Sequence, residues 1–188
     1  MTTSAALCST SQSLLVVVDT QTRLAAAMAQ SARDHVLRNG TILLQSAALL
    51  DVPVLITEQY PKGLGRTEPT LTQHLSPSTP IFEKTCFSCS GAAGFMETVQ
   101  RSQRKQIVLA GMEAHVCVLQ TAMELHATGL QIFVAEDAVC SRHLENKINA
   151  LARLRQAGVI VTNTESVLFE WLRDASHEHF KTISALIR

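Results

Sequence analysis

Short apolar runs alternate along the chain with longer segments whose apolar residues recur every three or four positions. The short runs have the length of β-strands and lie at residues 14–18, 52–57, 81–82, 107–110, 132–135 and 159–161. The longer segments have the spacing of amphipathic helices and lie at residues 32–50, 94–102, 115–128, 144–156 and 165–173. The pattern therefore predicts strands and helices in regular alternation.

The predicted strands are apolar at consecutive positions, so both of their faces are expected to be covered. Strands of this kind are typical of parallel sheets with helices on each side and right-handed crossovers. We expect a three-layer, doubly wound α/β fold with about six parallel strands. In such folds ligands bind beyond the carboxyl ends of the strands, so the residues that follow each apolar run are candidate site residues.

The chain of 188 residues is 46% hydrophobic, which suits one domain with a single extended core over residues 1–188. The first twelve residues are rich in serine and threonine and lack an apolar core, which predicts a flexible extension rather than a targeting signal. No apolar run approaches the roughly 20 residues that span a bilayer. We expect a protein that does not enter membranes.

Charge and cysteine content narrow the function classes. Sixteen basic and sixteen acidic residues give no net charge, so nothing favours nucleic acid or an anionic membrane as a partner. A small-molecule substrate is the better expectation. The five cysteines lack the spacing of a disulfide framework, which favours a reducing compartment and predicts a cytoplasmic protein.

Charged and reactive residues follow several predicted strands. They are Asp19 after the first, Glu58, Gln59 and Tyr60 after the second, Glu83 and Lys84 after the third, Cys117 beyond the fourth, and Glu136 and Asp137 after the fifth. An acid, a base and a thiol at one sheet edge are suited to acyl chemistry. Taken alone, an aspartate such as Asp19 at a strand end is more often a turn or cap residue than a base, and a lysine such as Lys84 is more often a solvated charge.

Cys117 stands where a strand leads into a helix. Unpaired backbone N–H groups and the positive end of a helix dipole favour thiolate over thiol, so the pattern predicts a lowered cysteine pKa. The same amides are suited to hold an oxyanion. By itself, however, a cysteine near a helix start is more often an inert packing residue.

Three sequence blocks resemble isochorismatase-like cysteine hydrolases in order and spacing. They are VVDTQ ending at Gln21, FEKTCFS ending at Ser88, and GMEAHVCVLQTA ending at Ala122. The segments AEDAVCSR and TEQYPKGLG resemble the subgroup of isochorismatase domain-containing proteins. The similarity extends over residues 14–187 and implies an isochorismatase-like, Rossmann-like fold.

The resemblance also implies roles for individual residues. It implies a catalytic triad of Asp19, Lys84 and Cys117, with an oxyanion hole formed by the backbone amides of Glu113 and Cys117. In that family a cis peptide precedes the first of these amides, which here is the bond between Met112 and Glu113. Asp137 is implied to be a supporting hydrogen-bond acceptor at the end of the fifth strand.

Departures from related groups indicate the reaction and the cofactor requirement. True isochorismatases lack the cysteine and cleave a vinyl ether, so Cys117 favours amide or related acyl substrates. Nicotinamidases add a metal site after the second strand, where this chain has Glu58, Gln59 and Tyr60 in place of the histidines. We therefore expect no metal. The pair Gly63 and Gly65 lacks the strand–turn–helix context of a dinucleotide loop, so no cofactor is expected.

Other residues have both a functional and a structural interpretation. Gln21, Tyr60, Phe87 and His115 are candidates for the substrate pocket, and each is also plausible as an ordinary loop or packing residue. Two further pairs suggest redox or metal chemistry, but packing and surface roles suit them better. They are Cys86 with Cys89, and His177 with His179.

Three functions remain in competition. The first is a cofactor-free hydrolase of a small amide or related acyl substrate. The second is a catalytically weak binding or scaffold module that forms a homo-oligomer, a dimer or tetramer, through surfaces such as residues 25–28 or 179–187. The third and weakest is nucleic-acid processing, for which scarce aromatic residues and zero net charge offer no binding surface.

Overall fold

The computed structural model describes residues 7–188, which form a parallel sheet covered by helices on both faces. Its strands are β1 (Ser13–Val18), β2 (Val54–Gln59), β3 (Ile81–Lys84), β4 (Gln106–Met112), β5 (Gln131–Cys140) and β6 (Ile160–Thr162). They lie in the order β3-β2-β1-β4-β5-β6, and every pairing is parallel. The predicted doubly wound α/β class is confirmed.

The helices alternate with the strands, as predicted. They are α1 (Thr22–Ala26), α2 (Gln30–Leu49), α3 (Pro61–Leu64), α4 (Pro69–Thr72), α5 (Phe95–Ser102), α6 (Leu119–Ala127), α7 (Leu144–Gln156), α8 (Thr164–Leu172) and α9 (Phe180–Leu186). The long helices match the segments with helical spacing, and the short helices α1, α3 and α4 lie in loops that have no such pattern. Between residues 7 and 188, no helix is both long enough and apolar enough to cross a membrane.

Strand β1 shows why consecutive apolar residues suit this fold. Leu14, Val16 and Val18 pack into the core on one face of the sheet, while Leu15 and Val17 pack into the core on the other. Because side chains alternate between the faces of a strand, a central strand covered on both sides needs an apolar residue at every position. Every residue of β1 is buried.

The fifth strand is longer than the sequence predicts. The apolar run 132–135 predicts a strand that ends before Asp137, whereas β5 continues to Cys140. Asp137 accepts hydrogen bonds from the backbone N–H and the hydroxyl of Thr164, both at 2.8 Å, at the start of α8. Its predicted role as an acceptor is therefore seen within the strand rather than at its end.

The predicted flexible extension, residues 1–12, is described only from residue 7. The first six residues lie outside the described part of the chain. Cys8 is buried and its N–H donates to Glu170 Oε2 at 2.6 Å, while the N–H of Ser9 donates to Gln106 Oε1 at 2.8 Å. Residues 8 and 9 thus pack against the domain, in contrast to the expected flexibility.

Strand order places the crevice of the sheet between β1 and β4. The chain runs from β1 outward through β2 to β3, then returns to the other side of β1 as β4. At such a reversal the connections leave the carboxyl ends in opposite directions and open a crevice for ligands. Asp19 follows β1 directly, Lys84 ends β3, and Cys117 lies five residues beyond the end of β4.

We predict that Gly111→Ala destabilises the protein by at least about 3 kcal/mol, because a Cβ at this position would lie 1.9 Å from the carbonyl oxygen of Val18 on the neighbouring strand. Gly111 also has a φ of +118°. Denaturant unfolding gives the difference in free energy. Gly129→Ala is the matched control, since Gly129 has a φ of +88° but an added Cβ would meet no atom within 4 Å, and we expect it to cost about 1 kcal/mol. Equal losses in the two variants would contradict the steric argument.

Candidate active site

A buried ion pair lies at the carboxyl edge of the sheet. The Nζ atom of Lys84 is 2.7 Å from Oδ2 of Asp19, and both side chains are fully buried. The other carboxylate oxygen of Asp19 accepts a hydrogen bond of 2.7 Å from the hydroxyl of Thr57. Asp19 has a φ of 47°, which turns the chain sharply out of β1. The structure thus brings together two of the three predicted catalytic residues.

Lys84 is held by more than its acidic partner. Its ammonium group donates to Asp19 Oδ2 and Gln59 Oε1 at 2.7 Å, to the carbonyl oxygen of Phe87 at 2.9 Å and to that of Cys86 at 3.3 Å. An ammonium group has three hydrogens, and these four acceptors occupy all of them. Lys84 is therefore a fixed positive charge rather than a free donor.

The environment of Lys84 keeps it charged. Burial alone disfavours an ammonium ion, but the charge of Asp19 and its hydrogen bond outweigh that effect and raise the pKa of Lys84. A buried charge is tolerated when it is paired and fully hydrogen-bonded, as it is here. Lys84 consequently stays an ammonium ion at neutral pH.

Cys117 lies in a π-helical turn, Ala114–Val118, that connects β4 to α6. The peptide bond between Met112 and Glu113 that precedes this turn is cis, as the family resemblance implies. The carbonyl oxygen of Glu113 accepts hydrogen bonds from the N–H groups of Val116 at 3.1 Å and Val118 at 3.2 Å. These bonds fix the turn on both sides of Cys117, which is 5% exposed.

The predicted lowering of the Cys117 pKa is wrong. Burial raises the pKa of the Cys117 thiol, and the negative charge of Asp19 and its hydrogen bond with the thiol raise it further, whereas the charge of Lys84 lowers it. Burial and Asp19 together outweigh the charge of Lys84, so the pKa of Cys117 is raised overall. The resting site therefore contains a protonated thiol beside a carboxylate and an ammonium group.

Glu113 contributes to the site through both its backbone and its side chain. Its side chain is buried, and its carboxylate accepts hydrogen bonds from the backbone N–H of Arg142 at 2.9 Å and from the guanidinium Nε at 3.2 Å. These contacts attach the turn after β4 to the segment after β5. The backbone of Glu113, one of the two predicted oxyanion donors, is held in place by its own side chain.

A cleft of about 420 Å³ is lined by one of the three predicted catalytic residues, Lys84, and not by Asp19 or Cys117. One wall is formed by residues 60–62 and the other by residues 85, 86 and 91–93, with Glu83 and Lys84 between them. Tyr60 contributes an aromatic ring that is half exposed. Phe87 is also half exposed but does not line this cleft. Among the predicted pocket residues, Tyr60 is therefore the one that lines this cleft.

Gln21 has a structural position. It is fully buried, and its amide nitrogen donates to the carbonyl oxygens of Gln59 at 3.0 Å and Gly65 at 2.6 Å. Its amide oxygen accepts from the N–H of Gln59 at 2.7 Å. Both N–H groups of the side chain are thus bonded to backbone, so Gln21 braces the loop that carries Tyr60.

His115 lies outside the cleft. Its Nδ1 is 2.9 Å from the hydroxyl of Ser141 and its Nε2 is 3.4 Å from the amide nitrogen of Asn146. It lines a separate cavity of about 370 Å³ together with Leu119 and Met123. The structure therefore groups His115 with α6 and α7 rather than with Tyr60.

Glu58, at the end of β2, anchors a loop. Its carboxylate accepts from the N–H and hydroxyl of Thr67 at 2.7 and 2.8 Å and from Arg66 at 2.8 Å. Burial acts to raise the pKa of Glu58, but these hydrogen bonds and the charge of Arg66 lower it overall. Across residues 7–188, no group of three or more histidine, cysteine or acidic residues is placed to hold a metal ion.

The sequence argument misses Thr57 and names Gln59 only as a strand-end residue, without its contact with Lys84. Thr57 donates to Asp19, and Gln59 accepts from Lys84. Thr57 is the last residue of an otherwise apolar run, and its register partner is Val18, next to Asp19. A hydroxyl at the carboxyl end of a buried strand, beside an acid, is a signal that would have indicated it.

Comparisons with known proteins identify the family. The sequence model of the isochorismatase domain matches residues 13–166. The chain belongs to the isochorismatase family. It is 44% identical to mouse isochorismatase domain-containing protein 2A over 147 residues, which cover 78% of this chain and 69% of that protein. Similarity to proteins of this name supports the predicted subgroup.

Solved structures with this fold carry different functional names. A structure named MAR1 ribonuclease, from Caenorhabditis elegans, is 36% identical with a TM-score of 0.90 and covers 96% of this chain and 92% of its own. The Escherichia coli YcaC protein, described as an octameric hydrolase of unknown specificity, is 22% identical with a TM-score of 0.90. The match covers 99% of this chain and 91% of the YcaC chain. The chain thus has the fold of the isochorismatase family of hydrolases.

We predict that Lys84→Met destabilises the protein by about 3–5 kcal/mol, because it leaves the buried charge of Asp19 unpaired. Adding Asp19→Asn to this variant removes the unpaired charge and is expected to restore at least about half of the loss. Denaturant unfolding of the two single variants and the double variant gives the coupling free energy. Additive losses would show that the pair is not coupled.

We predict that Asp19→Asn makes Cys117 more reactive toward iodoacetamide. The substitution removes two effects that raise the pKa of Cys117 and leaves the opposing charge of Lys84 in place. Each unit by which the pKa falls gives about tenfold more thiolate below that pKa. Mass spectrometry measures labelling at several pH values, with exposed Cys86 as the reference in the same sample. Unchanged or slower labelling of Cys117 would contradict the assigned influence of Asp19.

Proposed function

We propose that this protein is a hydrolase of a small-molecule amide or related acyl compound, with Cys117 as nucleophile and without a cofactor. The observation that carries the proposal is the position of the buried Cys117 thiol next to the buried carboxylate of Asp19, with which it forms a hydrogen bond. A thiol is a weak nucleophile until its proton leaves, and a neighbouring base can take that proton as the bond to carbon forms. The charge of Lys84 keeps Asp19 available as that base.

In the first half of the proposed reaction, the acyl group of the substrate is transferred to Cys117. Its sulfur attacks the carbonyl carbon of the substrate while its proton passes to Asp19. The N–H groups of Glu113 and Cys117 stabilise the oxyanion of the tetrahedral intermediate. When the C–N bond breaks, Asp19 returns the proton to the leaving nitrogen, so that an amine leaves and a thioester remains.

In the second half, water releases the acid. Asp19 takes a proton from a water molecule while the oxygen of that water adds to the thioester carbon. The C–S bond then breaks, the thiolate recovers the proton from Asp19, and the carboxylic acid leaves. Lys84 remains charged throughout, because its three hydrogens stay on protein acceptors.

The cleft and the sequence support a small acyl substrate. A cleft of about 420 Å³ is within the range of small-molecule sites. Tyr60 offers an apolar ring surface on one wall. Cys117 favours acyl chemistry, because cleavage of a vinyl ether by true isochorismatases does not require a cysteine.

A binding or scaffold module with weak turnover is the alternative from a different class. It would retain the ion pair for stability and bind ligands without hydrolysing them. We propose a homo-oligomeric assembly in either case, which is supported at the level of the shared fold by YcaC, described as octameric. The two functions differ in a single measurable quantity, the turnover that depends on Cys117.

A ribonuclease is a second candidate because the Caenorhabditis elegans protein named MAR1 ribonuclease is 36% identical to this chain. Zero net charge and six phenylalanines with one tyrosine and one tryptophan offer little for a phosphate backbone or for stacked bases. The nearly buried thiol of Cys117 is also better suited to a small carbonyl than to a polynucleotide. We therefore rank this function second.

We predict that Cys117→Ala lowers turnover of amide substrates by at least about 10³-fold, because the nucleophile is lost. A panel of small aliphatic and aromatic amides and thioesters is screened first with the unchanged protein. Cys8→Ala is the matched control, since Cys8 is also a buried cysteine but lies before the amino end of β1, where its N–H donates to Glu170, whereas Asp19 follows the carboxyl end of that strand. Circular dichroism shows whether each variant is folded.

The same variants separate the competing functions. Turnover that survives Cys117→Ala would eliminate the proposed nucleophile, and ligand binding without turnover would favour the module. RNA cleavage that is lost in Cys117→Ala and kept in Cys8→Ala would establish the ribonuclease instead. Parallel assays with a single-stranded RNA at low and high salt therefore accompany the amide screen.

A further inference from the structure

Thr57 connects the proposed base to the interior of the protein. It is fully buried near the end of β2, and its hydroxyl donates to Asp19 Oδ1 at 2.7 Å. We propose that Thr57 is a positioning residue for Asp19 and that Cys89 orients its hydroxyl. This inference rests on the proposed hydrolase function, because the base that Thr57 positions is the one that accepts the proton of Cys117.

The backbone reinforces the side-chain contact. The N–H of Asp19 donates to the carbonyl oxygen of Thr57 at 3.1 Å, so the two residues are joined both by the main chain and by the hydroxyl. Oδ1 of Asp19 thus has Thr57 as a donor while Oδ2 has Lys84. A carboxylate with a separate donor on each oxygen cannot rotate without breaking one of these bonds. Each oxygen retains a second lone pair, and one of these is available for the proton of Cys117.

Cys89 supplies a donor to Thr57. The hydroxyl of Thr57 has one hydrogen, which it gives to Asp19, so any further partner must donate to its oxygen. The sulfur of buried Cys89 lies 3.5 Å from that oxygen. Burial, together with the charge of Asp19, raises the pKa of Cys89 to about 11, so the group is a thiol at neutral pH and has a hydrogen to donate.

Cys89 is itself fixed from the side of the nucleophile. Its N–H donates to the hydroxyl of Thr121 at 2.9 Å, and Thr121 is fully buried in α6, four residues after Cys117. One turn of helix therefore separates the nucleophile from the residue that holds Cys89. The contacts run from Thr121 through Cys89 and Thr57 to Asp19, and they link the base to the helix that follows the nucleophile.

We predict that Thr57→Val lowers kcat by about 10- to 100-fold on the amide substrate found in the screen, with KM changed less than about twofold. Valine keeps the shape of threonine but cannot donate to Asp19. Thr57→Ser keeps the hydroxyl and is expected to restore kcat to within about threefold.

Thr164→Val is the matched control. Thr164 is buried, and its hydroxyl donates to a carboxylate oxygen of Asp137 at 2.8 Å, the same chemistry at a different place in the sheet. We expect this variant to lose stability as Thr57→Val does, while kcat stays unchanged. Equal kinetic effects of the two substitutions would overturn the positioning role. If Thr57→Val does not fold, Thr57→Ala takes its place in the comparison.

The infrared S–H stretching band of Cys89 tests the geometry without turnover. Subtracting the spectrum of Cys89→Ala identifies the band, and its frequency is lower when the thiol donates a hydrogen bond. We expect the band to move to higher frequency in Thr57→Val and to stay in place in Thr57→Ser. A band unaffected by Thr57→Val would overturn the role of Cys89.

The kinetic variants distinguish failure of the inference from failure of the proposed function. Unchanged kcat in Thr57→Val, with kcat lost in Cys117→Ala, would refute the inference while the proposed function stands. Turnover that persists in Cys117→Ala would refute the function itself.

Discussion

The buried pair of Asp19 and Lys84 determines how the carboxyl edge of this sheet is built. Two charges removed from water are stable only if each finds its partner and its remaining hydrogen bonds inside the protein. Lys84 is the buried residue of the short edge strand β3, whose other positions are exposed or half exposed. The ion pair therefore attaches this strand to the interior together with Phe82, whose ring packs against Phe95 in the core.

The same pair sets the state of the thiol. Asp19 and Lys84 together carry no net charge, and the neighbouring thiol of Cys117 stays protonated at rest. A site of this kind avoids a standing thiolate, which is the form of cysteine that oxidants attack. The nucleophile is generated only when a carbonyl carbon is in place to accept its electrons. Burial thus lowers the resting reactivity of the sulfur without removing its chemistry.

Most of the fold could be predicted from the sequence, because covered parallel strands need an apolar residue at every position and β1 shows this directly. The end of β5 could not, since Glu136 and Asp137 interrupt its apolar pattern although the strand continues to Cys140. Both side chains pair with helices, since Asp137 accepts a hydrogen bond from the start of α8 and Glu136 forms an ion pair with Arg155 in α7. Local patterns do not contain such a contact.

The site was predictable in part for a related reason. Asp19 and Lys84 could be grouped because parallel strands end at one edge, whereas the bracing role of Gln21 depends on Gln59 and Gly65, which are 38 and 44 residues away in the sequence. The cis bond before Glu113 followed from resemblance to the family and from no property of the residues themselves. The direction of the Cys117 pKa was wrong because the prediction considered the helix start and left out burial beside a carboxylate.

The two walls of the cleft are attached to the site in different ways. The wall that carries Tyr60 is braced by a side chain, since Gln21 holds the backbone of Gln59 and Gly65. On the opposite side, Lys84 donates to the backbone carbonyl oxygens of Cys86 and Phe87. Every amino acid possesses such an oxygen. Side chains at these two positions are therefore free to diverge without loosening the ion pair. Proteins with this arrangement can acquire new substrates by substitutions on one wall while the reacting groups stay where they are.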